Sequence, residues 1–346
     1  MPVHPSCRPA LLTLALGLAG LAPSAQALNI VFTNAGSSLN TEQLAAFQTA
    51  AAYWENQLSN NVTVYLAVSF GDLGSSTLAE ARSELITASY ADVRSRLTAN
   101  AQSPTDTSAI SHLQTGPALS FMATQLDGTT RFDNDTTLNN RVLNLTTANA
   151  KSLGYTTPTE STSPDARITF ANAYASSFAY SRINGQIPGD KIDFITVAQH
   201  EIGHALGFMS GVDHIAYCIN NAAQCGTTGG FEDEISYTSL DLFRYSAAGV
   251  LDMTIGGASY FSVDGGATSI HGFAAGAQAS HFGGGSLTLM NPTVAFGQSY
   301  EATAADLMAL DAIGWNLTAA VPEPQTYALL LCGLGVIAWA RRRRGA

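Results

Sequence analysis

The sequence predicts an α+β domain, and three observations carry that expectation. Runs at 62–71 and 166–173 are rich in the β-branched and aromatic residues that suit a pleated strand. Apolar residues at 44, 47, 51, 54 and 58 recur at helical spacing. A second helical run, KIDFITVAQHEIGHALGFM at 191–209, comes after the strands. Strand, helix, strands and then a central helix is an order that suits segregated helices and sheet.

Taken in turn, LNIVFTN at 28–34 reads as a short strand. TEQLAAFQTAAAYWENQLS follows as a helix that buries Leu44, Phe47, Ala51, Trp54 and Leu58, with Thr41 as its cap. VTVYLAVSFG at 62–71 alternates and is the next strand. EARSELITASYADVRSRLTANA holds a strand-like patch and then a helix from about Tyr90 to Leu97. Residues 102–162 are dense in Thr, Ser, Asn and Asp and read mostly as loop with short helical turns. ARITFANA at 166–173 returns to strand, and beyond the central helix SLDLFRYS and ASYFSVDG are strand-like. Near the end, Thr303 and Asp306 make a capping box for a helix whose Leu307, Leu310, Ile313 and Trp315 form one apolar face. That helix is expected to pack under the central one as support. No internal repeat is evident.

The two ends of the 346-residue chain read as addresses. Arg8, an apolar run from Ala10 to Leu21 and then Ala25-Gln26-Ala27 follow the order of a secretory signal peptide, with cleavage expected after Ala27. At the other end Thr326 to Ala340 is apolar and Arg341 to Arg344 follow. A helix over that run spans about 22 Å at roughly 1.5 Å per residue, short for a bilayer core of about 30 Å. Flanking residues can complete a span, with the arginines on the cytoplasmic side. Val321-Pro322-Glu323-Pro324, the apolar run and the arginine cluster together resemble the PEP-CTERM sorting signal of bacterial exported proteins. The resemblance implies an exosortase as partner, transient insertion of the tail in the inner membrane and its removal on the way to the cell surface. The expected division is therefore 1–27 signal peptide, 28–320 domain and 321–346 sorting segment.

Arg8 and the four C-terminal arginines are 5 of the 15 basic residues, and Glu323 is one of the 26 acidic ones, which leaves the domain a net charge of −15. So acidic a domain disfavours nucleic acid and anionic lipid as partners. Cys7 and Cys332 fall in the end segments, whereas Cys218 and Cys225 lie in CINNAAQC. In the oxidising compartment outside the cell these two are expected to form a local disulfide.

HEIGHALGFMSGVDH at 200–214 carries the most chemistry. His200 and His204 are four apart, so on a helix they share a face and can point at one ion. A catalytic zinc takes three protein ligands and keeps a fourth position open. Glu201 sits about 100° further round the helix, placed to take a proton from a water at the metal as general base. Ile195, Val197 and Leu206 offer an apolar side, and Gly207 fits a left-handed stop. The pattern H-E-x-x-H-x-x-G-x-x-H would put the third histidine at 210, where Ser210, a poor zinc ligand, stands. On the residues alone, the candidates for third ligand are Asp213, His214, His271 and His281, with His112 more remote.

Further along, Leu289-Met290-Asn291-Pro292 looks like the Met-turn of metzincins, and His281, followed by Phe282, precedes it. Here the chain resembles the leishmanolysin-type metzincins and the HEIGHALGF-type metalloproteases of bacteria with PEP-CTERM tails. The resemblance is strong over 193–211 and 278–316 and weak before 160. It implies a metzincin-like catalytic domain: a twisted mixed sheet, an active-site helix, a long insertion after Gly207, a Met-turn and a C-terminal helix. It further implies Zn2+ held by His200, His204 and His281, Glu201 as the catalytic residue, and an exported endopeptidase acting on protein or peptide substrates. The glycines at 283–285 would let the backbone turn toward the Met-turn. Asp213 stays the competitor of His281, because aspartate binds zinc in another protease group. His214 and His271 read as surface or packing histidines. Glu232, Asp233 and Glu234 lack the E-x-x-x-D spacing of the thermolysin group. Asp241 and Arg244 read as a structural salt bridge or exposed strand charges rather than a catalytic pair. Leishmanolysin-type enzymes commonly carry a propeptide cysteine that blocks the zinc; none lies upstream of the domain once Cys7 is removed, so no cysteine switch is expected. Asp133 and Asp135 in FDNDTTLNN offer oxygens of the kind structural calcium takes. The low charge density and the Ser/Thr/Gly-rich loops also accommodate a second class of function, a surface adhesive or structural protein on a protease scaffold.

Overall fold

The computed structural model describes residues 28–33, 39–276, 278–284 and 287–318. The signal peptide, the sorting segment with its apolar run, Cys7, Cys332, Glu323 and Gly285 lie outside the described residues. The chain opens with β1 (Asn29–Phe32), α1 (Thr41–Gln57), β2 (Thr63–Gly71), β3 (Ala79–Ser83), β4 (Leu85–Ser89) and α2 (Tyr90–Asn100). It continues through α3 (Pro104–His112), β5 (Phe121–Thr124), β6 (Thr130–Asp133), α4 (Leu138–Arg141), β7 (Val142–Thr146), α5 (Thr147–Ser152) and β8 (Ala166–Ala171). The short parallel pair β9 (Phe178–Ala179) and β10 (Ile192–Asp193) precedes α6 (Phe194–Ala205). Then come α7 (Val212–Asn220), α8 (Ala222–Cys225), β11 (Arg244–Ala247), β12 (Val250–Met253), β13 (Tyr260–Phe261), β14 (His271–Gly272) and α9 (Ala304–Ala312). This is the α+β class expected, with no closed barrel among the described residues.

One mixed sheet has the order β1-β2-β8-β3, with β3 antiparallel along β8 at the outer edge. β2 and β8 are interior strands, which buries Val64, Leu66, Val68, Ile168 and Phe170. α1 and α6 pack on each other and on this sheet. Phe194, the first residue of α6, stacks on Phe170 with centroids 4.3 Å apart, and Phe47 of α1 meets it edge-on at 4.9 Å. Aromatic pairs of these geometries contribute about 0.5–1.5 kcal/mol each beyond their buried area. Trp54 Nε1 donates to the Gln199 carbonyl at 2.9 Å, so α1 also holds α6 through a buried polar contact.

Residues 102–162 depart from the expected loop: they carry α3, α4, α5, β5, β6 and β7. The elements are short and their partners distant. β5 pairs in parallel with β12, and β7 pairs antiparallel with β4. Pairing of this kind is set by remote chain and leaves little local period. The Asn and Thr residues that make the stretch look like loop are used internally: Asn140 Nδ2 donates to the Leu119 carbonyl at 3.0 Å and to Asp133 at 3.1 Å. A second sheet, order β14-β13-β11-β12-β5-β6, draws four of its strands from the long segment between α6 and α9.

Several local expectations resolve in detail. Asn40, not Thr41, caps α1, with Gln43 completing a capping box. SLDLFRYS begins as a 3-10 turn over Leu240–Phe243 before β11. Thr303 and Asp306 form the expected capping box of α9. α9 itself packs against α3 and the 240–243 turn, while Trp315, just past its end, donates to the Leu206 carbonyl at 2.7 Å where α6 stops. Cys218 and Cys225 form a disulfide that joins α7 to α8.

Asp311 of α9 is buried and accepts a hydrogen bond from Ser103 Oγ at 2.6 Å. Burial pushes its carboxyl up to about 6; the Ser103 hydroxyl opposes the rise and Asp106 adds to it. The folded protein therefore keeps a proton that the unfolded chain gives up above the ordinary value of 3.8. The stabilisation from this group is full below that value and is lost as pH rises through about 6. Asp311→Asn keeps the acceptor and removes the charge. It should raise the melting temperature at pH 8 and leave it near wild type at pH 4; an equal shift at both pH values would contradict this account.

Candidate metal centre

Asp193 caps α6 by accepting from Thr196 N, and Arg182 donates to the same carboxylate at 2.6 Å, which fixes where the helix begins. The helix ends at Gly207, whose φ of +114° few side chains tolerate. A Cβ at that position would also lie 2.9 Å from Asn149 Cβ. Ile195, Val197 and Leu206 are buried as expected, while His200 and His204 are only partly buried and line a cleft of about 760 Å³.

His281 arrives from the far end of the long segment. Ala274 N donates to the His281 carbonyl at 2.9 Å, and Phe282 bridges to Phe273, so the histidine rides on the chain just past β14. Phe282 N donates to the Met290 carbonyl at 2.8 Å and ties this stretch to the turn at 288–291. Asp306 holds that turn. Its carboxylate accepts from Leu289 N at 3.0 Å and Met290 N at 3.1 Å, in addition to Thr303 N at 2.7 Å within the capping box. Met290 lies against Gly203 of α6, where a Cβ would meet its sulfur at 2.7 Å.

The three rings converge. His204 Nε2 is 3.0 Å from His200 Nε2 and 3.2 Å from His281 Nε2. Their Nδ1 atoms face carbonyls: Leu289 O at 2.8 Å for His200, Phe208 O at 2.6 Å for His204 and Gln278 O at 3.3 Å for His281. A carbonyl only accepts, so each Nδ1 carries the proton and each Nε2 turns a lone pair inward. Burial pushes all three imidazoles down to about 3, and a neighbouring ring adds to each fall. Protons therefore do not fill the space between the rings at neutral pH. Three inward lone pairs at these separations fit tetrahedral ligation at about 2.0–2.1 Å, and outward bonds from Nδ1 are what orients a ligating imidazole. The donor set suits zinc.

Glu201 is buried on the next position of α6, beside β3. Burial pushes its carboxyl up to about 8; Glu80 adds to the rise and the Ala81 backbone opposes it. A cation among the ring nitrogens would draw it back down. Residues 78–81, Ile235, Ser236 and the 291–294 stretch contribute to the cleft walls.

The other candidates make different contacts, although Asp213 and His214 also line the cleft. Asp213 accepts from Ala279 N at 2.6 Å and Ser280 N at 2.9 Å. His214 faces Glu234 at 2.9 Å, His271 packs on Phe282 with ring centroids 4.7 Å apart, and His112 Nδ1 lies 2.8 Å from the Ser108 carbonyl on its own helix. Asp241 and Arg244 are both buried, so they are not exposed strand charges, and they feel each other's charge without forming a direct ion pair. Asp241 accepts from Ser210 Oγ, Gly211 N and Thr238 N. Arg244 lies over the Phe273 ring, donates to the Ala279 carbonyl at 3.3 Å and sits in the field of Asp241, Asp252 and Asp213. Asp133 and Asp135 gather with Glu232, but Arg131 reaches both Asp133 and Glu232 and already supplies positive charge there. Sequence reasoning missed the second role of Asp306 and the carbonyls behind the three rings. A backbone carbonyl has no residue signature, so no local signal marked those.

Residues 320–344 match the PEP-CTERM protein-sorting motif. The protein is exported and sorted to the surface. Exosortase machinery recognises this motif, which makes it the partner of the tail. The match concerns the tail and is silent on the domain. No curated protein matches the chain, and no solved structure does. Among the described residues, no helix is long and apolar enough to cross a membrane.

Proposed function

We propose that this protein is a zinc endopeptidase of the metzincin type, with residues 28–320 as its catalytic domain. The observation that carries the reading is the convergence of three proton-free Nε2 atoms, next to a buried glutamate, in an open cleft. Met290 against Gly203, the turn held by Asp306 and the helix that follows support the metzincin comparison. When bound, zinc supplies a Lewis acid that polarises the scissile carbonyl and acidifies the attacking water. His200, His204 and His281 would hold the ion through Nε2, with their Nδ1 protons anchored on carbonyls. Glu201 takes the proton from the attacking water and passes it to the leaving amine. Its raised proton affinity suits a group that must both take and give one. β3 lies at the sheet edge along this cleft, so an extended peptide can lie alongside it.

The purified protein should carry one zinc per chain and cleave members of a random peptide library. A chelator should abolish the cleavage and added zinc restore it. Protein that lacks zinc and leaves every peptide intact would favour the adhesive or structural alternative. Bound zinc without peptide cleavage would move the chemistry to another bond.

A further inference from the structure

We infer that Asp213 is a positioning residue that sets His281 in place for the metal, an inference that rests on the three-histidine reading above. His281 follows His204 by 77 residues and stands on irregular chain, not on a helix that would orient it. Its ring must nevertheless sit beside the other two. The two residues before it are held at four polar atoms. Asp213 Oδ1 accepts from Ala279 N at 2.6 Å and Oδ2 from Ser280 N at 2.9 Å. Arg244 Nη1 donates to the Ala279 carbonyl at 3.3 Å. Ser280 Oγ accepts from Ser210 N at 2.8 Å. Ala279 itself is fully buried.

Two of these holders, Ser210 and Asp213, belong to the stretch immediately after α6, the helix that carries His200 and His204. The clamp thus refers His281 to the same frame as the other two rings, across a separation of 66 residues between Asp213 and Ala279. Its base is anchored in turn, since Ser210 Oγ donates to the buried Asp241. Neither simpler role of Asp213 accounts for the contacts. A carboxylate in the first turn of α7 ordinarily serves its own helix, but the first amide of α7 is met by Ser210 Oγ and both oxygens of Asp213 leave the helix for 279 and 280. A ligand role does not match its place either, because the donor atoms that lie within 4.8 Å of one another are those of His200, His204 and His281, without Asp213. A carboxylate suits two adjacent N–H groups because both oxygens accept, and its charge strengthens each bond. An asparagine offers one accepting oxygen and turns a donor toward the second N–H.

The test uses the purified chain with Asp213→Ala and Asp213→Asn, and three measurements. The first is the zinc dissociation constant by competition with a chromophoric chelator. The second is the ligand set in zinc X-ray absorption. The third is amide hydrogen exchange in the metal-free protein. Asp213→Ala should weaken zinc by about 10- to 100-fold, the usual effect of removing an outer contact that orients a ligand. At saturation it should still show three imidazole ligands. Ala279 and Ser280 amides should exchange at least about tenfold faster, while α6 amides keep their protection and report an intact fold. Asp213→Asn should fall between Asp213→Ala and wild type in both affinity and exchange. Affinity within about twofold of wild type for Asp213→Ala would overturn the inference. Loss of an oxygen ligand from the absorption spectrum would also overturn it, by making Asp213 a ligand. If wild-type protein binds no zinc, the three-histidine reading fails on its own, and the exchange arm still decides the clamp: unchanged rates at 279 and 280 overturn it.

Discussion

Glu201→Gln is expected to keep zinc at wild-type stoichiometry and to lose about 100- to 10,000-fold in turnover, the contribution of a well-placed general base. Glutamine matches the size of the buried side chain and leaves His200, His204 and His281 untouched, so the loss should appear in kcat and not in metal content. The same variant has a signature that needs no metal. In the metal-free protein burial raises the Glu201 carboxyl from its ordinary 4.5 to about 8. Between those values the folded state holds a proton that the unfolded chain has lost, so this group makes stability fall as pH rises through the window. Glutamine stands in for the protonated acid and should remove that slope. Metal-free Glu201→Gln should therefore melt higher than metal-free wild type at pH 8 and close to it at pH 4.5. Wild-type cleavage of casein by the zinc-loaded variant would exclude Glu201 as the base.

His281→Ala should weaken zinc binding by about 100-fold or more, since even outer contacts to a ligand cost about 10- to 100-fold. The removed ring supplies one of three inward lone pairs and lies 3.2 Å from His204 Nε2. His214→Ala and His271→Ala are the controls. One loses a contact to Glu234 and the other a ring packed on Phe282, and neither should move the zinc dissociation constant. Chelator competition on all three variants measures this. Equal affinities for His281→Ala and wild type would remove His281 from the ligand set and reopen the search for a third ligand.

Much of the scaffold around this centre was legible before any coordinates. β1, β2, β8, α1, α6 and α9 were each marked by a short-range pattern, and so was the Cys218–Cys225 disulfide. Where the reading slipped, a nearby residue or a remote partner decided. Asn40 caps α1 in place of Thr41 because its side chain and that of Gln43 satisfy each other's backbone N–H groups. The 102–162 stretch became strands and helices because β4 and β12 were there to pair with β7 and β5. Asp241 and Arg244 went inside because backbone amides, Ser210, the Ala279 carbonyl and the Phe273 ring receive them there.

The sequence by itself determined the helix that sets His200 and His204 on one face, the glutamate beside them, the glycine that stops the helix and the sorting motif on the tail. All of these are local: a turn of helix, a cap or a run of residues is complete within a short window, so the chain spells it out. His281 was the intermediate case, named through a resemblance because no spacing rule spans the long segment before it. Only the tertiary structure brought its ring to 3.2 Å from His204 and showed what holds it there. It alone revealed Asp213 as a contact to Ala279 and Ser280, Asp306 as the anchor of the Met290 turn, and the carbonyls of Phe208, Leu289 and Gln278 as the partners of three Nδ1 protons. Those contacts run between backbone atoms and side chains far apart in sequence. A peptide N–H or carbonyl is the same at every position, so only the path of the folded chain selects which one a carboxylate or an imidazole meets.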